Sequence, residues 1–115
     1  EFYGHFELYE CNLLFVEDTH DMLEFLLKNL VYNYNVLGAT YGKEALKILH
    51  NNTIDIIISD IVMPEMDGFE LLNAVRADKM LCHIPFILLS AQSSVNSKIT
   101  GLDYGADAYI DKPIS

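Results

Sequence analysis

Short apolar runs alternate with amphipathic stretches along most of the chain. Residues 12–16, 34–39, 54–59, 85–89 and 108–111 are rich in Val, Ile, Leu, Phe or Tyr. The runs beginning at 12, 54 and 85 are nearly continuous, as strands buried on both faces are. Between the runs, apolar positions recur at helical spacing. Leu23, Leu26, Leu27 and Leu30 predict one helix, Ala45, Leu46 and Leu49 a second, Phe69, Leu72 and Val75 a third, and Val95, Ile99 and Leu102 a fourth. Boundary residues agree with this division. Thr19 can cap the first helix, with Asp21 in its first turn favoured by the helix dipole. Asp67-Gly68-Phe69-Glu70 has the spacing of a capping box, and Gly105 stands where a left-handed residue would end the fourth helix. Strict alternation of strand and helix predicts parallel βαβ crossovers, hence an α/β fold with a doubly wound, five-stranded parallel sheet.

The two ends break the pattern. Residues 1–10 carry Phe2, Tyr3, Phe6, Leu8 and Tyr9 with no period, and read as a leader, a linker from an upstream domain or a remnant of cloning. Residues 11–115 form the domain. The last apolar run is followed only by Lys112-Pro113-Ile114-Ser115, so the fifth helix that such a sheet needs is expected to be missing from this chain. Phe2, Phe6 and Tyr9, or a second protomer, are expected to cover the sheet face left bare.

Length and charge narrow the function. A chain of 115 residues is one domain's worth, and its net charge of −10 opposes binding to phosphodiester backbones or anionic lipid. No direct nucleic-acid binding and no membrane contact are expected. Cys11 and Cys82 form no CxxC and the four histidines no HxxxH, which argues against a disulfide scaffold or a zinc site. With no signal-peptide pattern, a cytoplasmic setting is expected, either free or as the cytoplasmic part of a membrane-anchored sensor.

In open parallel sheets, ligands bind beyond the carboxyl ends of the strands. Glu17 and Asp18 follow the first run, Asp60 the third, Ser90 and Ala91 the fourth, and Lys112 and Pro113 the fifth. Three carboxylates, a hydroxyl and an ammonium group would converge on one rim. Oxygen donors without His or Cys favour Mg²⁺, with Mn²⁺ fitting the same set. A cation, a lysine and a hydroxyl around a carboxylate make a receptor for a phosphoryl group, and the carboxylate can itself be the nucleophile.

These residues resemble the receiver domain of two-component response regulators. Leu13-Leu14-Phe15-Val16-Glu17-Asp18 is similar to that family's first strand and acidic pair. Ile57-Ile58-Ser59-Asp60-Ile61-Val62-Met63-Pro64-Glu65-Met66-Asp67-Gly68 is similar to its phosphoacceptor strand and loop. Phe86-Ile87-Leu88-Leu89-Ser90-Ala91 and Gly105-Ala106-Asp107-Ala108-Tyr109-Ile110-Asp111-Lys112-Pro113 complete the pattern. The resemblance implies strand order 2-1-3-4-5 in a flavodoxin-like sheet. It implies that Asp60 accepts a phosphoryl group from a phosphohistidine of a histidine kinase or phosphotransfer domain. Glu17, Asp18, Asp60 and the backbone carbonyl of Val62 would hold Mg²⁺. Ser90, the backbone of Ala91 and Lys112 would bind the phosphoryl group, with a cis Lys112-Pro113 peptide. Ser90 and Tyr109 would be the switch pair. Output, or pairing into a homodimer, would use the fourth helix and fifth strand. The domain would assist its own phosphorylation and dephosphorylation without being an enzyme in the ordinary sense. Receivers occur alone, ahead of DNA-binding domains and behind sensor kinases, and leading residues that do not begin with Met favour a hybrid histidine kinase as the expected parent.

Departures and rivals bear on this. Glu17 stands where the family more often has Asp, and Val62 and Gln92 occupy the positions that tune phosphate lifetime. A haloacid-dehalogenase-type phosphatase wants a second Asp two places after the nucleophile, where this chain has Val62. A flavodoxin wants a Ser/Thr/Gly-rich loop after the first strand, where Glu17-Asp18 would repel phosphate. A degenerate receiver used only for docking is the remaining alternative, although all five chemical positions are filled.

Overall fold

The computed structural model describes residues 2–3, 11–17, 35–90 and 95–111. In chain order they form β1 (Phe2–Tyr3), β2 (Asn12–Val16), β3 (Asn35–Ala39), α1 (Gly42–Asn51), β4 (Ile56–Asp60), α2 (Gly68–Ala77), β5 (Phe86–Ser90), α3 (Val95–Asp103) and β6 (Ala108–Asp111). The helix expected over Leu23–Leu30, with its Thr19 cap, lies outside the described residues.

The five apolar runs are the five parallel strands, in sheet order β3-β2-β4-β5-β6. Numbered among themselves, these strands run 2-1-3-4-5, the order that the family resemblance implied. Leu13, Leu14, Phe15 and Val16 of β2 are all buried, as are all five residues of β3. Ile57, Phe86, Leu88 and Leu89 extend that dry layer through β4 and β5. Each such side chain contributes roughly 1.5–3 kcal/mol when fully buried.

One strand was not expected. Phe2–Tyr3 pairs antiparallel with β3, placing Phe2 opposite Leu37 and Tyr3 opposite Val36, so the sheet has six strands. From sequence, Phe2 is expected to cover a bare sheet face, and the pairing of its backbone with β3 is not foreseen. Its segment lies edge-on at the far side of the sheet from β6, because the exposed polar groups of β3 offer backbone partners there. Phe6 and Tyr9 lie outside the described residues.

Helix α1 buries Ala45 and Leu49, and α2 buries Leu71, Leu72 and Val75. The capping box on α2 is complete. The Asp67 carboxylate accepts the Glu70 N–H at 2.8 Å, and the Glu70 carboxylate accepts the Asp67 N–H at 3.2 Å. Gly105 has φ +103°, the left-handed stop expected after α3, and its N–H donates to Leu102 O. The stripe predicted on α3 is different. Ile99 and Leu102 are each 51% exposed, and buried Gly101 faces the sheet instead. A Cβ on Gly101 would stand 2.9 Å from Leu88 Cδ1 and 3.1 Å from Tyr109 Cδ2, so the helix packs too closely there to bury a larger side chain. That approach turns Ile99 and Leu102 aside by helical geometry.

The amino-terminal ends of the strands are tied by Arg76 from α2. Its guanidinium donates to Gly105 O at 3.0 Å, Cys82 O at 3.1 Å, Ile84 O at 2.6 Å and the Asp107 carboxylate at 2.9 Å. The same Asp107 oxygen accepts the Phe86 N–H at 2.8 Å. Among the described residues, no helix is long and apolar enough to cross a membrane.

Candidate phosphoacceptor site

Sheet register brings the predicted chemistry together. Val16 pairs with Ser59, so Glu17 stands beside Asp60 at the carboxyl ends of β2 and β4. Asp60 pairs with Leu89, so Ser90 lies one residue further along the next strand. Ser90 in turn pairs with Asp111, the residue before Lys112. Glu17, Asp60 and Ser90 are all buried, at 1%, 6% and 8% exposure. Asp18, Ala91 and the Lys112-Pro113 peptide lie outside the described residues.

Backbone contacts hold these acids from several directions. The Glu17 N–H donates to Ala39 O at 2.9 Å, which ties it to the end of β3. The Ile61 N–H is shared between Leu89 O at 3.1 Å and the Asp60 carboxylate oxygen Oδ1 at 2.8 Å. The Ser59 hydroxyl donates to Asp60 O at 2.8 Å. The loop then turns outward: Val62 is 77% exposed, while Met63 returns to the core. Glu65 takes the left-handed conformation at φ +67°, where the Met66 N–H donates to Pro64 O.

Gly68, which the sequence marks as part of a helix cap and as the last residue of the loop that resembles the family's, sits against the end of β4. Its N–H donates to Ile61 O at 2.7 Å. A Cβ at this position would lie 2.4 Å from Asp60 O and 2.8 Å from Ile61 Cα. Only a residue without a side chain lets α2 start so close to the strand end.

Tyr109 faces inward from β6, partly buried and packed on the core cluster. Its hydroxyl is buried and has no hydrogen-bond partner among the described residues. Such a group costs about 1–3 kcal/mol to leave unsatisfied.

The donor set suits a hard cation. Two unit negative charges separated by the ~5 Å strand spacing would repel by roughly 3 kcal/mol at an effective dielectric near 20. A divalent ion removes that repulsion, and oxygen donors are those that Mg²⁺ prefers. Among the described residues, no three Asp, Glu, His or Cys side chains form a metal cluster. The expected third acid, Asp18, is outside them.

Comparison with known proteins bears on the family and the fold. The family model for the response regulator receiver domain matches residues 13–115. A histidine kinase, "Histidine kinase P4" of Formosa agariphila, is 45% identical over 107 residues, covering 92% of this chain and 8% of that protein. A "Probable cyclic di-GMP phosphodiesterase" of Vibrio cholerae is 38% identical over 109 residues, covering 95% of this chain and 25% of that one. The chain thus spans a small part of these curated relatives. Among solved structures, the Vibrio cholerae chemotaxis protein CheY4 superposes with a TM-score of 0.87 at 32% identity, covering 91% of this chain and 88% of that one.

Proposed function

The chain belongs to the response regulator receiver domain family, the phosphoacceptor signalling domains of two-component systems, and we propose that Asp60 is its phosphoacceptor. The family is generally one of signalling domains rather than enzymes. The observation that carries the proposal is the burial of Asp60 at the end of a central strand, with Glu17 and Ser90 on the flanking strand ends.

A carboxylate oxygen of Asp60 attacks the phosphorus of a phosphohistidine on a histidine kinase or phosphotransfer domain. The P–N bond breaks, a P–O bond forms, and the histidine nitrogen leaves and takes up a proton. The loose transition state needs positioning and charge neutralisation above all. The Ile61 N–H on Oδ1 and the Ser59 hydroxyl on the Asp60 carbonyl keep the nucleophile in one orientation. Glu17, Asp18, Asp60 and the Val62 carbonyl would hold Mg²⁺. When bound, that ion neutralises the acids and the transferring group. Ser90, the Ala91 backbone and Lys112 complete the phosphoryl receptor, the lysine through its peptide to Pro113. The same groups would assist hydrolysis of the acyl phosphate.

Tyr109 and Ser90 are the switch pair. The unsatisfied Tyr109 hydroxyl supports a second arrangement in which it finds a partner. Ile99, Leu102, Tyr104 and Ile110, each 45–51% exposed, give α3 and β6 an apolar surface suited to output or to a homodimer. Identity to part of a histidine kinase supports a hybrid sensor as the parent, with a cytoplasmic location for this domain.

Intact-mass measurement after incubation with acetyl phosphate tests the proposal. The expected result is one added phosphoryl group in the presence of Mg²⁺, little without it, and none in Asp60→Asn. Equal uptake by the variant removes Asp60 from the role. No uptake by the native chain, from acetyl phosphate or from a phosphorylated phosphotransfer domain, leaves a docking receiver.

A further inference from the structure

The added strand β1 points to an interaction edge that the phosphoryl chemistry does not use. Strand β3 reads Asn35-Val36-Leu37-Gly38-Ala39, and all five residues are buried. It has no charge and no proline, and its ladder with β2 runs without a bulge from Asn12–Asn35 to Val16–Ala39. Those are the devices by which sheet edges normally repel other strands. The opposite edge, β6, ends in Asp111, whereas among the described residues β3 is covered along its edge by β1. That cover is two residues long and antiparallel.

Antiparallel is also the orientation in which a two-fold axis presents one copy of an edge strand to another. Centred on Leu37, such pairing sets Leu37 opposite Leu37, Val36 opposite Gly38 and Asn35 opposite Ala39. No like charges meet, despite the net charge of −10. We propose that β1 is an intramolecular cover over a self-complementary edge, and that a chain without β1 dimerises by antiparallel pairing of β3 with β3 of a second copy. Two paired positions suffice for the cover because it is tethered. A short linker holds it at an effective concentration on the order of millimolar, above the concentration at which a free second copy competes.

Sedimentation velocity over a concentration series tests this, with Ile99→Asp and Leu102→Asp in every chain to exclude association through the α3–β6 surface. The 115-residue chain should remain at 13.1 kDa, and a chain beginning at Glu10 should move with concentration towards about twice that mass. A synthetic peptide of residues 1–9, added in excess, should return the shortened chain to monomer. A second variant, Phe2→Pro with Tyr3→Pro, keeps the chain length while removing the N–H donors of β1, and should dimerise likewise. A folded shortened chain that stays monomeric overturns the proposal, as does a dimer that the peptide leaves unchanged. Should the shortened chain fail to fold, the proline variant decides, and a monomeric one overturns the proposal. Phosphoryl uptake at Asp60 plays no part in these measurements, so failure here leaves the phosphoacceptor reading intact.

Discussion

Replacing Gly68 by alanine opposes two effects whose signs differ. Helix propensity, which for glycine is largely the greater freedom of the unfolded chain, favours alanine by up to about 1 kcal/mol. The added methyl carbon, however, would stand 2.4 Å from Asp60 O, 2.8 Å from Ile61 Cα and 3.1 Å from Asp60 C. The first contact is roughly 1 Å short of comfortable van der Waals separation. All three neighbours are backbone, so no rotamer change relieves them. The start of α2 must retreat, stretching the 2.7 Å bond from Gly68 N–H to Ile61 O, or the end of β4 must shift with Asp60. Overpacking of this kind costs about 1–3 kcal/mol, so Gly68→Ala should be net destabilised by about 1–2 kcal/mol. A displacement near 1 Å at a reacting group can also slow chemistry by up to ~100-fold, and a loss of at least about fivefold is expected here. Urea unfolding reports the first effect, and the rate of phosphoryl uptake from acetyl phosphate, followed by intact mass, the second. Gly42→Ala is the control, because the three atoms nearest its added carbon all belong to the Met66 side chain, at 2.7–2.9 Å, and none to backbone. It should cost less and leave the uptake rate unchanged. An unfolding midpoint for Gly68→Ala at or above the native one, with native uptake, would refute the steric reasoning.

Two further substitutions test the opposite end of the sheet. Arg76→Met keeps an apolar stem but strips the donors from Gly105 O, Ile84 O and the Asp107 carboxylate, and should lower stability by about 2–3 kcal/mol in urea unfolding. Asp78 lies 2.7 Å from His50 Nε2, and that hydrogen bond, helped by the Met80 N–H, holds its carboxyl below the usual carboxylate range. A depressed folded value stabilises above the unfolded one and is lost as pH falls through the folded one. The midpoint difference between the native chain and Asp78→Asn should therefore be present near neutrality and fade in acid; a difference that grows on acidification contradicts the assignment.

Much of the fold is legible along the chain because its strands are buried on both faces and so appear as unbroken apolar runs. Asp67, Glu70 and Gly105 mark helix ends through local hydrogen bonding and backbone conformation, which neighbouring residues alone determine. The rim is legible for the same local reason: Glu17, Asp60 and Ser90 follow, or end, the runs directly. What escaped depends on tertiary approach. The two residues of β1 are too short to show a period, and their partners Val36 and Leu37 lie far along the chain. Ile99 and Leu102 have helical spacing, yet the closeness of Gly101 to Leu88 turns a different side of α3 inward. Arg76 meets mainly backbone carbonyls, which carry no residue-type signal. The contact of Gly68 with Asp60 likewise follows from how α2 returns across β4, not from the Asp-Gly pair alone.

The Arg76 clamp makes β5 and β6 into levers with a common fulcrum. Their roots are pinned through Ile84, Gly105 and Asp107, whereas Ser90 ends β5 at the opposite tip, level with Asp111, and Tyr109 stands between, level with Leu88. A push delivered at the tips therefore swings them most where the fastening is farthest away, and is damped to nothing at the roots. Motion so graded should reach α3, which packs through Gly101 on Leu88 and Tyr109, before it reaches the base of the sheet.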